Sequence, residues 1–299
     1  DTDEVEALAF SYVLPAPWQK NHVLAVYSVN SDSETAFGEG FNTVGEGFIL
    51  GCRYVMPLPP KDKYAHNLTA GVDYKDFDEE LGFGGEQAQF TPITYFPLSF
   101  SYSSTLPDSS GVTQFSAGVN MAFRGLVTDQ REFEIKRFEA RGNYLFGTLG
   151  IERTQTLPGG FGLFLKIDGQ LSNQPLISNE QYVIGGMKSV RGYKENEAVG
   201  DDALHGTAEF STPDFTRLFG FEQYPTCDAY VFYDAANLRL QDPLPGQDEH
   251  TTLQGVGAGI RGLLVEGLEY ELAWGLALES TERTDSGDMA FHYILRYRF

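Results

Sequence analysis

Several groups of residues have types and spacings that could support chemistry. Gly257-Ala-Gly-Ile-Arg-Gly262 matches the glycine spacing of a dinucleotide-binding turn. That turn works when a strand runs into a helix whose N-terminus meets the pyrophosphate. Here Gly255, Gly257 and Gly259 share one face while Val256, Ala258 and Ile260 share the other. This is the pattern of a strand with a smooth inner face, suited to an interior loop packing on it rather than to a nucleotide. The histidines (His22, His66, His205, His250, His292) form neither H-x-x-x-H nor H-E-x-x-H, so zinc has no ligand set. Ser189 sits in Gly186-Met-Lys-Ser-Val-Arg-Gly192, which is not the spacing of a nucleophile elbow. Asp76, Asp78, Glu79 and Glu80 lack calcium-loop spacing and read as a solvated loop. Cys52 and Cys227 each lie on or at a strand and read as structural. No catalytic residue, metal or cofactor is expected.

The elements that must position any site are strands. With a formal net charge of −21 over 299 residues, the chain lacks the positive charge nucleic-acid binding requires. No stretch approaches the roughly 20 apolar residues of a spanning helix. The 23 Phe and 16 Tyr argue against disorder, and 33 Gly suit tight turns. Apolar residues recur with period two. Met289, Phe291, Tyr293, Leu295, Tyr297 and Phe299 share one face, as do Phe161, Leu163, Leu165 and Ile167. Strands are predicted over 4–14, 22–30, 43–56, 65–77, 89–104, 111–124, 138–153, 160–173, 203–213, 226–238, 251–262, 266–279 and 288–299.

Connections alternate between short turns, often marked by Pro or Gly, and longer, often acidic loops; 214–225 is the exception, longer than its class. A soluble sandwich does not need this alternation, whereas an outer-membrane barrel does. Closure into a barrel also removes the unpaired edges that lipid cannot satisfy. The predicted fold is therefore all-β, a transmembrane antiparallel β-barrel spanning 1–299. Single-chain barrels usually have an even strand count. Thirteen predicted strands and a first residue of Asp1 lead to the expectation that N-terminal strands, and any periplasmic domains, lie outside this sequence.

The longest connection, 174–202, contains Gly185-Gly186 followed by Val190-Arg191-Gly192-Tyr193. Long structureless loops are usually functional or disordered. Two strands further on, Phe232-Tyr-Asp234-Ala-Ala236 places Tyr230, Phe232 and Asp234 on one face. If the other face, with Val231 and Tyr233, meets lipid, Asp234 points into the lumen.

These two motifs resemble the sixth-loop motif and the F-x-D-x-G strand motif of outer-membrane polypeptide transporters. That superfamily holds the two-partner secretion transporters (ShlB/FhaC/HecB type) and the assembly factor BamA. Ala236 stands where the family pattern has Gly. The resemblance is specific over about 160–299, and Gly206-Thr-Ala-Glu-Phe210 favours the two-partner secretion branch. It implies a barrel of about sixteen strands, preceded by POTRA domains that this sequence lacks. It implies that the loop folds into the lumen and that Arg191 meets Asp234, a pair able to bond bidentately. Gly192 would permit the turn and Tyr193 would pack on the wall. A client polypeptide would cross the outer membrane without nucleotide or covalent chemistry. Lys166, Asp168, Glu209, Glu269 and Glu271 would keep the pore wet. The aromatic terminus at Tyr297 and Phe299 resembles the assembly signal of bacterial barrels. The remaining partners implied are lipopolysaccharide and the barrel assembly machinery. An insertase for other barrels and a passive porin are the alternatives.

Overall fold

The computed structural model describes residues 6–33, 45–78, 80–81, 89–90, 92–126, 129–220 and 223–298. Thirteen long strands run in chain order: β1 (Glu6–Ala16), β2 (Gln19–Ser33), β3 (Gly45–Pro57), β4 (Ala65–Asp78), β5 (Leu98–Pro107), β6 (Gly111–Met121), β7 (Leu145–Thr156), β8 (Gly162–Ser172), β9 (Asp202–Ser211), β10 (Asp228–Arg239), β11 (His250–Val265), β12 (Leu268–Ala277) and β13 (Met289–Tyr297). Each pairs antiparallel with the next, and the short Ile93–Tyr95 adds to β4. β1 and β13 end the sheet and do not pair with each other among the described residues.

The period-two sequence pattern becomes two different faces. On β10, Tyr230, Phe232, Asp234, Ala236 and Leu238 are buried, while Val231 and Tyr233 are exposed. Leu149 and Ile151 on β7, Ile167 on β8, Trp274 on β12 and Phe291 on β13 are likewise exposed. So continuous an apolar outer surface is unsuited to water and matches the lipid-facing band of a membrane barrel. The inner face mixes polar and charged residues, such as Asp73, His205, Glu209 and Asp234, with buried apolar ones. No described helix is long and apolar enough to cross a membrane; strands do the crossing.

In an antiparallel meander, connections alternate between the two ends. Those at 79–97, 122–144, 173–201, 240–249 and 278–288 leave from one end, and the turns at 17–18, 108–110 and 266–267 from the other. At the loop end, three connections pack inside the sheet. Ile93 and Tyr95, Phe133 on the helix α1 (Gln130–Lys136), Tyr144, and Leu176 with Ile177 form one buried cluster with Ile49 and Phe77. Tyr95 meets Phe133 edge-on at 5.7 Å between centroids.

Two predicted strands shift. The region 138–153 becomes a strand only from Leu145. α1 precedes it, begun by Asp129, whose carboxylate accepts the Arg131 N–H. The region 89–104 is regular only from Leu98, after the Phe96-Pro97 break. Phe299 lies outside the described residues.

A loop clasped inside the barrel wall

The connection between β8 and β9 carries a short hairpin, Tyr182–Ile184 against Ala198–Gly200. Beyond it the chain turns through Gly185 and Gly186, at φ of 116° and 92°, a region where side chains are strained. Ser189 Oγ accepts the Gly185 N–H at 2.8 Å. The turn presents Val190-Arg-Gly-Tyr193 to the inner wall of β9–β12.

Arg191 is the centre of the contact. Its Nε and Nη2 donate to the two oxygens of Asp234 at 2.7 and 2.8 Å, and its backbone N–H donates to Asp234 Oδ2 at 3.1 Å. The third guanidinium nitrogen, Nη1, bonds Glu209 Oε1. Asp234 is 0% exposed and Arg191 4%. The guanidinium stacks 3.6 Å above the Phe232 ring, a cation–π contact that gains strength where water is excluded. Glu209 continues to Arg261 at 3.0 Å, and Arg261 to Asp228 at 3.0 Å. Tyr230 lies beneath both arginines and donates to Glu271 at 2.9 Å. Buried charges persist only when paired and hydrogen-bonded, and this alternating ladder meets that condition. Glu209, expected as a pore-wetting charge, is instead consumed by two arginines and buried.

Register explains why glycines face this ladder. Strand pairing sets Asp234 opposite Gly255, Phe232 opposite Gly257 and Tyr230 opposite Gly259. A Cβ on Gly257 would meet the Phe232 ring at 2.6 Å, and one on Gly259 the Tyr230 ring at 2.4 Å. A Cβ on Gly255 would come within 1.9 Å of the Arg191 carbonyl oxygen. The G-x-G-x-x-G segment is thus the bed on which two aromatic rings and the loop backbone lie.

Gly192, at φ 103°, runs against the β12 backbone, where an added Cβ would be 2.8 Å from Leu276 C. Its N–H donates to His292 Nε2 at 3.3 Å. Tyr193 is fully buried with Val190, Ile184, Ala236, Leu238, Leu253 and Ala277. Ala236, in place of the motif glycine, packs its methyl group into this cluster. The Tyr193 hydroxyl accepts the N–H groups of Gln254 and Glu279, at 3.2 and 3.1 Å, and lies 3.0 and 2.9 Å from their carbonyls. It thereby ties β11 to the connection after β12. Tyr193→Phe should cost about 1–3 kcal/mol, the price of leaving buried backbone groups unsatisfied. Loop 174–202 should then become protease-sensitive at lower urea than in the parent protein.

Sequence reasoning missed a second anchor at the base of the loop. Asp201, 0% exposed, accepts from the Leu176 N–H at 2.9 Å, the Gln241 N–H at 2.7 Å, Gln181 Nε2 at 3.1 Å and Arg137 Nη2 at 3.4 Å. Higher up, Glu180 accepts from Tyr95 and Lys75, each at 2.6 Å. Asp168 bonds Tyr182 and also His205, the latter at 3.0 Å. Nothing local in the sequence marks these acids as different from the solvated ones. Asp201→Ala should free the loop base, so that limited proteolysis cuts within 173–201 while the strand content of the sheet is unchanged. Tyr297 takes no part in the clasp; it is exposed at the end of β13, opposite Leu268. Cys52 and Cys227 are free thiols.

An apolar-outside, polar-inside sheet with a loop returned to its interior defines an outer-membrane β-barrel protein. The sequence model described as haemolysin secretion/activation protein ShlB/FhaC/HecB matches residues 88–262, and the chain belongs to that family. Compared with curated proteins, the sequence finds no match. Among solved structures it is similar to CdiB from Escherichia coli, with a TM-score of 0.76 and 17% identity over 99% of this chain and 53% of that one. CdiB from Acinetobacter baumannii gives 0.66 and 15% identity over 98% and 50%. BamA from Haemophilus ducreyi lacking POTRA domains 1–3 gives 0.65 and 12% identity over 98% and 62%. These identities establish a shared fold. The chain spans about half the length of the CdiB structures. Family and fold place it in the outer membrane of Gram-negative bacteria.

Proposed function

We propose that this chain is the barrel wall of a two-partner secretion transporter, which moves a secreted client polypeptide across the outer membrane. The observation that carries the reading is the buried Arg191–Asp234 clasp holding the 174–202 loop in the lumen, in a chain of the ShlB/FhaC/HecB family. An extended client would enter from the periplasm and fold outside, and folding outside would bias direction. The chemistry required is positioning and hydration, with no covalent step. We further propose that the strands completing the barrel, and the POTRA domains that would select the client, belong to the rest of the protein. The terminal aromatics Tyr297 and Phe299 would serve recognition by the barrel assembly machinery, and acidic outer loops would bind lipopolysaccharide through divalent cations.

The test is co-expression of the full-length protein with a candidate large exported partner, followed by assay of the partner in the medium. Export that depends on the transporter and falls with Arg191→Ala supports the reading. Export unaffected by that change contradicts it. Similarity to BamA supports a second reading, an insertase. That reading predicts lower levels of other outer-membrane barrels on depletion and no effect on a secreted partner.

A further inference from the structure

The loop divides the space inside the described sheet unequally. On its β11–β12 side there is no space. A Cβ on Gly275 would lie 2.3 Å from Gly192 N, and Val190 and Tyr193 are both 0% exposed. On its other side lies a cavity of about 980 Å³ between the hairpin and the wall formed by β5–β9, reaching β13 at Ile294.

Strand register orders the far wall of this cavity into two rungs. One reads Ser103, Ser116, Gly150, Asp168, His205; the next reads Thr105, Gln114, Glu152, Lys166. Over β5 and β6 the groups are hydroxyls and one amide. The charges on this wall begin only at β7, where a single lysine stands between two acids. Lys166 Nζ lies 3.4 Å from Asp168 and 3.8 Å from Glu152, and His205 bonds Asp168. Small hydroxyl groups can exchange hydrogen bonds with a passing peptide backbone and present no unpaired charge that would hold it. A site that conducts must bind weakly enough to release.

Building on the transport reading above, we propose that the clasped loop is a fixed partition. The polypeptide passes beside it, along the hydroxyl-lined wall of β5 and β6, with the Arg191–Asp234 bond intact throughout. The clasp is then a structural wall of the conduit and never its gate.

The test uses the full-length protein in planar bilayers, with Cys52 and Cys227 replaced by Ala. Thr281 Oγ1 bonds Glu197 on the descending limb of the loop. Glu197→Cys with Thr281→Cys, joined by a short bifunctional thiosulfonate, pins the loop to the β12–β13 connection. Pinning should change ion conductance by less than about two-fold, whereas a bulky thiosulfonate on Ser116→Cys, in an unpinned protein, should lower it by about five-fold or more. Loss of conductance on pinning would show that the loop must move. An unchanged current after labelling Ser116→Cys would place the path elsewhere. Either result overturns the proposal, and the second holds even if the pinned variant does not assemble. Export of the candidate client by the unpinned parent is measured in parallel. Failure there refutes the transport reading, while the bilayer currents still report the path.

Discussion

Asp234→Ala should leave the sheet assembled in the membrane, release the 174–202 loop from the wall and abolish most export. The carboxylate receives three N–H groups, two from the guanidinium and one from the Arg191 backbone. Without it, the one carboxylate left to Arg191 among the described residues is Glu209, which is already shared with Arg261. Removing one member of a buried ion pair typically costs about 3–5 kcal/mol, because the remaining charge stays desolvated. The wall can survive this loss, since strand pairing through β9–β12 does not involve the side chain. The loop cannot, since the clasp holds its tip. Trypsin cleavage within 174–202 of the folded barrel is the physical readout, and client in the medium the functional one. Arg191→Ala should match it closely. A wild-type cleavage pattern in either variant would mean that the packing of Val190 and Tyr193 alone seats the loop.

Gly255→Ala should have an effect of similar kind through sterics alone. Its Cβ would fall 1.9 Å from the Arg191 carbonyl oxygen, and backbone cannot swing aside as a side-chain end can. Overpacking of this type costs about 1–3 kcal/mol and occasionally more, and here it is directed at the loop tip. The control is Gly206→Ala, where the added methyl would find only the Lys166 carbonyl, at 3.6 Å. Gly206→Ala should export normally and resist trypsin, while Gly255→Ala should resemble Asp234→Ala. If both glycine variants behave as the parent, the loop tip does not rest on β11 as closely as described.

Much of this arrangement is legible in the sequence, and the reason is periodicity. A one-residue error in a strand would turn Asp234 out to lipid, so alternation alone places Tyr230, Phe232 and Asp234 on one face. The same alternation shows Gly255, Gly257 and Gly259 as a smooth strip awaiting a partner. The partner, Arg191, is separated from Asp234 by 43 residues, and only a family resemblance joins the two. What the sequence hides is long-range polar pairing. Glu209 reads as another lumenal acid, because its neighbours Arg191 and Arg261 come from elements 18 and 52 residues away. Asp201 stands beside Asp202 with nothing in the sequence to separate them, yet Asp201 is the fully buried one with four donors, while Asp202 accepts from the Ser172 N–H and Gln241 Nε2. α1 left a faint signal. Asp129 followed by Glu132 has the spacing of a capping box, but a helix of 7 residues is too short for its apolar period to stand out against flanking strands. Glu132 moreover turns its carboxylate to the Thr94 N–H, so the box is not closed within the helix.

The central claim is that Arg191 and Asp234 act as one contact that seats the loop for export. A double-mutant cycle tests it most directly, with export measured for the parent, Arg191→Ala, Asp234→Ala and the pair together. Residues that share one interaction lose it once, so the double variant should be little worse than either single variant. Losses that add, with the double variant falling by the product of the two single effects, would contradict the account.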